Sequence, residues 1–354
     1  MRPEALEITT AEGRAARHVA LALELRGLPA SEAATSCGTR VTLRANVELP
    51  EEADEAYELG AQGIGLYRTE FLYIDRSTLP TEEEQFAVYK HVVEAMRGRP
   101  IVLRTFDIGG DKFASSFRLP EELNPMLGLR AVRLALTRED TFKEQLRAMV
   151  RAAALGDVRI MIPMVTSLTE LRQVRVLLER ATAEVRARGI DVPDVPLGVM
   201  IEVPSAAIMV DRFAKEAAFL SLGTNDLVQY ALAVDRGNRT LAYLASCFDP
   251  AIVRLIAQVV RAGATHLRAV SVCGAMASDP LAMLLLLGLG VRDFSMEAAA
   301  IAEIKEAIHR VTLVEAEAVA AEAVKYTTAE EIEHCMAEAF APRLYDLLTG
   351  ESME

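Results

Sequence analysis

The four cysteines, Cys37, Cys247, Cys273 and Cys335, form no CxxC pair and lie far apart in the 354-residue chain. That spacing excludes a zinc knuckle and suggests no disulfide framework, so each thiol is judged by its own neighbours. Long apolar runs are also missing. The longest, "LAMLLLLGLG" at 281–290, is broken by glycines and falls short of the ~18–20 residues that cross a bilayer. The first 27 residues interleave acids with bases and lack a continuous apolar core, unlike a secretion signal, which makes the cytoplasm the expected compartment. Positive charge is scarce: 38 Lys and Arg against 51 Asp and Glu leave a formal charge of −13. Such a surface repels phosphate backbones and anionic lipid, arguing against nucleic-acid partners and membrane insertion, but it leaves room for a local cationic site. Repeats and low-complexity segments are absent.

About half of the residues are apolar, enough for one large core or two ordinary ones. Eight short runs rich in branched apolar residues alternate with stretches of helical spacing. They are "VTLRANVE" (41–48), "GIGLYRTE" (63–70), "PIVLRTFD" (100–107), "VRIMIPMV" (158–165), "PLGVMIEV" (196–203), "AFLSLGTN" (218–225), "AVSVCG" (269–274) and "DFSM" (293–296). Eight such alternations predict a (β/α)₈ barrel, the TIM-barrel fold. A doubly wound sheet competes, but it gives no reason to stop at eight and would usually show a glycine-rich first turn. Helix starts are marked by Thr81 with Glu84, Asp249 with Pro250, and Thr328 with Glu331. The expected organisation is a helix and linker over 1–38, the barrel over 39–311, and C-terminal helices over 312–354 that pack on it.

Barrel enzymes carry their chemistry at the C-terminal ends of the strands. There the second and third runs end in Arg-Thr, giving Arg68 and Arg104; the fifth ends in Glu202, the sixth in Asn225 and Asp226, and the seventh in Cys273. An arginine at a strand end commonly serves an ion pair, yet two in equivalent settings match the oxygens of a phosphate or carboxylate. Glu202 reads either as an ion-pair partner of those arginines or as half of a hard-cation site with Asp226, and a helix cap is the lesser reading of Asp226. Cys273 is either a small buried hydrophobe or a general acid at the barrel mouth. "AVDRGNR", with Arg236, reads as a polar loop. "DIGGDK" is either a glycine turn or a way to bring Lys112 and main-chain N–H groups near an anion.

Taken in order, "GIGLYRTEFLY", "LRTFDIGGDK", "NPMLGLR", "VMIEVP", "SLGTNDLVQYALAVDRGN" and "VCG" closely resemble the C-terminal domain of enzyme I of the bacterial sugar phosphotransferase system, the phosphoenolpyruvate-protein phosphotransferase family. The resemblance runs from about residue 40 to about residue 340. Pyruvate phosphate dikinase and phosphoenolpyruvate synthase share the barrel type, but "NDLVQYALAVDRGN" and the compact length look more like enzyme I.

The resemblance implies a phosphoenolpyruvate (PEP) site in which Arg68, Arg104 and the loop residue Arg236 hold the phosphate. It makes Glu202 and Asp226 ligands of Mg²⁺, Asn225 a substrate contact, and Arg130 and Lys112 residues lining the site. It gives Cys273 the role of protonating the enolate as pyruvate forms, and it implies a homodimer. The phosphoryl group would pass to a histidine on another domain or protein, since no Thr-Ser-His motif occurs and His18, His91, His266, His309 and His334 all fall in helical stretches. A second departure is Ala275, where the family usually continues Cys-Gly with Glu. Two other functions compete: a PEP-sensing or dimerisation module without transfer activity, and a Mg²⁺-dependent lyase that makes a pyruvate enolate by C–C cleavage.

Overall fold

The computed structural model describes residues 32–74, 76–109, 117, 122–235 and 237–349. Eight parallel strands make up its centre: β1 (Arg40–Val47), β2 (Ile64–Arg68), β3 (Ile101–Arg104), β4 (Val158–Ile162), β5 (Leu197–Ile201), β6 (Leu220–Leu222), β7 (Val270–Val272) and β8 (Asp293–Glu297). Each pairs with the next. β1 also pairs with β8, Thr42 opposite Asp293 through Asn46 opposite Glu297, so the sheet closes into a barrel and leaves no edge. All eight strands expected from the sequence are present, and closure excludes the doubly wound sheet.

The pattern within the strands explains the layering. On β1, Val41, Leu43, Ala45 and Val47 are buried in the main apolar core beneath the helices, while alternate residues turn to the other face. A separate, smaller apolar cluster fills the barrel interior: Leu66, Val102, Met161, Met200, Phe219 and Cys273, drawn from the strands β2 to β7 and their immediate flanks. Phe219 fits there because β5 carries Gly198, where a Cβ atom would come within 2.3–2.5 Å of the phenyl ring. Burying one such side chain is worth roughly 1.5–3 kcal/mol.

Helix starts follow the sequence signals. Thr81 and Glu84 form a capping box before Glu82–Ala95, Asp249 caps Pro250–Thr265 with the proline at its first position, and Thr328 and Glu331 form a capping box before Ala329–Phe340. The C-terminal helices Leu313–Ala323 and Ala329–Phe340 bury Ala316, Ala320, Ile332, Met336 and Phe340 in the main core, and a short helix, Tyr345–Thr349, follows. At the other terminus, residues 1–31, where the sequence suggests a helix, lie outside the described residues. Ala33–Ala34 pair antiparallel with the start of β1, and the Ser36 N–H donates to the Val311 carbonyl at 2.9 Å. The chain thus enters the barrel beside the point where the last barrel helix, Ile301–His309, ends, at the N-terminal end of the strands.

One boundary differs from the sequence reading. β6 is only three residues long, and the helix Thr224–Leu232 starts directly after Gly223, so Asn225 and Asp226 lie in the first helical turn and not on the strand. Thr, Asn and Asp all favour helix starts, and the single glycine is the whole junction.

Candidate active site

The C-terminal ends of the strands surround one small open-mouthed cavity, lined by Leu66, Arg68, Arg104, Asp107, Met200, Glu202, Gly223, Asn225, Asp226, Cys273 and Gly274. Larger grooves run between outer helices, but none of the buried polar atoms that lack a hydrogen-bond partner lies in them. Arg68, Arg104, Glu202, Asn225, Asp226 and Cys273, all singled out from the sequence, are therefore brought together. Arg130 stands behind this cavity. Lys112 and Arg236 lie outside the described residues.

The two strand-end arginines are held differently. Arg104 is buried, donates to Glu70 Oε1 at 2.5 Å and lies 3.4 Å from Asp107 Oδ2. Burial alone would weaken its hold on the proton, but Glu70, then Asp107, Glu202 and Cys273, more than offset this and keep its pKa above the ordinary arginine value. Asp107 is shared: its Oδ1 accepts from Arg130 Nη2 at 2.8 Å, and Arg130 Nη1 donates to Tyr230 Oη at 3.0 Å. Tyr230 in turn donates to the Met126 carbonyl at 2.6 Å, tying the helix Thr224–Leu232 to the loop after β3. Arg68 pairs with Glu48 at the rim, where the two side chains are 32% and 35% exposed. A partly exposed pair of this kind is worth about 0–1 kcal/mol, so an entering anion would displace Glu48 at little cost.

The carboxylates answer two questions left open by the sequence. Glu202 makes no ion pair with either arginine; its Oε1 accepts the Met164 N–H at 2.6 Å. Burial, followed by the nearby charges of Asp226 and Asp107, pushes the Glu202 carboxyl well above the ordinary carboxylate range, against the pull of Arg104 and the Met164 N–H. Asp226 is not a cap: Gly223 precedes the helix and no side chain caps it. Its Oδ1 is buried without a hydrogen-bond partner, as is Thr224 Oγ1 in the same turn. Leaving such an atom unpaired costs about 1–3 kcal/mol, which is the mark of a site awaiting a ligand. Gly223 makes the carboxylate pair possible, because a Cβ there would lie 2.7 Å from Glu202 Oε2 and 2.8 Å from Glu202 Cβ.

Cys273 follows β7 and is buried. Ser221 Oγ, on the adjacent strand β6, donates to its Sγ at 3.3 Å, and the thiol faces the Leu222 carbonyl at 3.6 Å. Burial pushes the thiol pKa up; Ser221 opposes this, Glu202 adds to it, Arg104 and Arg68 oppose it, and the result is about 11. The group therefore keeps its proton at neutral pH. Asn46 on β1 fixes the main chain here, donating from Nδ2 to the Cys273 carbonyl at 3.1 Å while its Oδ1 accepts from Ser295 Oγ on β8 at 2.7 Å. The Ala275 N–H donates to Asn225 Oδ1 at 2.9 Å, which turns the Asn225 amide nitrogen into the free end of that side chain.

Glu70, Asp107, Ser221, Asn46 and Tyr230 are the members of this network that the strand-end survey missed. Glu70 and Asp107 left a faint signal, an acid two residues after Arg68 and three after Arg104. The others are serine, asparagine and tyrosine within apolar runs: strand register gives Ser221 and Asn46 their partners, and the approach of the helix Thr224–Leu232 to the loop after β3 gives Tyr230 its own.

A family model described as PEP-utilising enzyme, PEP-binding domain matches residues 24–313. Among curated proteins, the phosphoenolpyruvate-protein phosphotransferase of Geobacillus stearothermophilus is 46% identical over 323 residues, 91% of this chain and 56% of that protein. Its namesake from Staphylococcus carnosus (strain TM300) is 46% identical over 310 residues, 87% of this chain and 54% of that one. The Staphylococcus aureus protein of the same name is 43% identical over 333 residues, 94% and 58% of the two chains. The chain thus spans about half the length of the curated relatives it matches. A solved HpcH/Hpal aldolase/citrate lyase family protein from Burkholderia cenocepacia J2315 superposes with a TM-score of 0.47 at 16% identity over 87% of this chain and 99% of that one, too loosely to bear on the chemistry.

Proposed function

The chain belongs to the PEP-utilising enzymes, as a PEP-binding domain of that family, and on that premise we propose that its cavity binds PEP and donates the phosphoryl group to a histidine supplied by another domain or chain. The observation that carries this reading is a single cavity lined at once by Arg68, Arg104, Glu202, Asp226 and Cys273. Each supplies something that the transfer requires.

The phosphate is taken by Arg68 and Arg104, whose guanidinium forks match its oxygens. Arg104 is already fixed by Glu70 and Asp107, so little side-chain freedom is lost when the anion arrives. The family resemblance adds Arg236 to this set and Lys112 to the residues lining the site. Asn225, its amide oxygen occupied by the Ala275 N–H, is left with its NH₂ to donate to a substrate oxygen. The apolar lining by Leu66 and Met200 suits the methylene carbon, and the protonated thiol of Cys273 is on hand when the leaving enolate needs a proton.

Glu202 and Asp226 fit Mg²⁺: both offer hard oxygen donors, and Asp226 Oδ1 has no other partner. Among the described residues no group of three or more His, Cys, Asp or Glu side chains could hold a metal, which suits an ion that completes its shell with substrate oxygens and water. When bound, Mg²⁺ would neutralise charge on the phosphoryl group during transfer. No histidine lines the cavity among the described residues, in keeping with an acceptor from elsewhere. The same proposal includes a homodimer, supported by apolar side chains left in water on the loops after β3 and β6: Leu127 is 64% exposed, Tyr243 76% and Leu244 45%.

Calorimetry with PEP in excess Mg²⁺ tests the binding, and mixing with a separately produced histidine-bearing domain followed by detection of phosphohistidine tests the transfer. Heat on binding and phosphohistidine are both expected. Absence of binding heat from a folded protein would sink the proposal, whereas heat without phosphohistidine would leave a PEP sensor.

A further inference from the structure

Ser221 lies inside the barrel on β6, buried, and it does not line the cavity. The polar atom it reaches is Cys273 Sγ, 3.3 Å away, and the hydroxyl donates to the sulfur, which itself lines the cavity. The thiol at rest faces the Leu222 carbonyl at 3.6 Å. A proton donor in this position has two needs: its S–H must turn from the main chain into the cavity, and its sulfur must survive as a buried anion once the proton has gone. The charged groups that face it there are Glu202, which disfavours the anion, and Arg104 and Arg68, which favour it. Both arginines are the groups a bound phosphate would occupy. Ser221 is the neutral donor that stays on the sulfur through the whole event.

We propose that Ser221 is a positioning residue for enolate protonation, holding the sulfur of Cys273 through its hydroxyl while the S–H turns to the cavity and stabilising the thiolate left behind. The inference rests on the role given to Cys273 above. In the step itself the S–H bond breaks and its electron pair stays on sulfur; the C=C π pair of the enolate takes the proton as the third C–H bond of the methyl group, and a lone pair of the enolate oxygen closes the carbonyl of pyruvate. Water then returns a proton to the thiolate. Ser221 loses no atom; its O–H shortens onto the sulfur as charge develops. A hydrogen bond to a charged group carries roughly a 10- to 100-fold effect on such a step.

The reverse half of this step needs no histidine domain, because pyruvate bound with Mg²⁺ exchanges its methyl protons with D₂O as the thiolate removes them. Proton NMR of pyruvate follows this in the full chain. The unaltered protein is expected to exchange and C273A is not; if the unaltered protein does not exchange, the reading of Cys273 falls, independently of Ser221. With exchange established, S221A is expected to exchange roughly 10- to 100-fold more slowly at saturating pyruvate, with pyruvate binding unchanged. S221T, which keeps the hydroxyl, is expected to recover most of the rate. Exchange by S221A at the unaltered rate would overturn the proposal. So would an equal loss in S221A and S221T, or a loss that follows weakened pyruvate binding, since either marks packing and not the hydroxyl.

Discussion

Gly223 shows how much of the site rests on one missing side chain. Its backbone is ordinary, with φ −90° and ψ 78°, so any residue could adopt it. What glycine provides is space for the Glu202 carboxylate, which a Cβ would meet at 2.7 Å. In G223A, Glu202 must leave its place between Met164 and Asp226, and we expect about 1–3 kcal/mol of lost stability, the usual result of overpacking. Affinity for PEP with Mg²⁺ is expected to fall at least tenfold. Urea titration and calorimetry measure the two effects; unchanged binding would mean that Glu202 does not belong to the ligand site. At this scale the sequence was informative about charged residues and silent about neutral ones. Arg68, Arg104, Glu202 and Cys273 stand out because a charge or thiol at the end of an apolar run needs a reason. Ser221 and Asn46 need none until strand register sets them against Cys273.

Among the elements, the outer helices are joined by an ion-pair network centred on Glu82, the first residue of Glu82–Ala95. Glu82 accepts from Arg147 at 2.6 Å, Arg151 at 2.9 Å and Arg188 at 2.6 Å, linking three successive helical segments. Burial would raise its pKa, but the three arginines, Arg188 foremost, outweigh that and bring it down to about 2 from 4.5. A carboxylate whose folded-state pKa is depressed contributes stability above its unfolded value, and the contribution disappears as pH falls from about 4.5 towards 2. E82Q is therefore expected to be less stable than the parent at pH 7, with the gap narrowing through the acid range; chemical denaturation at several pH values measures it. A gap that does not change with pH would assign the loss to packing alone. Strand and helix order was legible because each period was clear and the caps at Thr81, Asp249 and Thr328 were explicit. The end of β6 was not. Leu220, Ser221, Leu222 and a glycine before Thr-Asn-Asp fit a longer strand as well as a helix start, and nothing in the local pattern distinguishes them.

For the molecule as a whole, eight strands closed by the pairing of β1 with β8 place every strand end on a common rim, which is why residues as far apart as 68 and 273 share a cavity. The proposed homodimer is to be sought on that side. Sedimentation is expected to give twice the chain mass, and Y243S with L244S is expected to weaken association at least tenfold, about 1.4 kcal/mol. A monomer at tens of micromolar would remove the dimer from the proposal. The contact between Ser36 and Val311 has a further consequence. Residue 32 leads into β1 at the end of the barrel away from the rim, and eight residues of strand at ~3.3 Å each separate the two ends by about 25 Å. If the acceptor histidine proposed above sits on a domain joined ahead of β1, that domain connects to the barrel at the end away from the cavity. Its imidazole would then have to reach around the outer helices, or enter the cavity of a neighbouring copy. The timing of phosphoryl transfer would then be set by that journey as much as by the chemistry at its end.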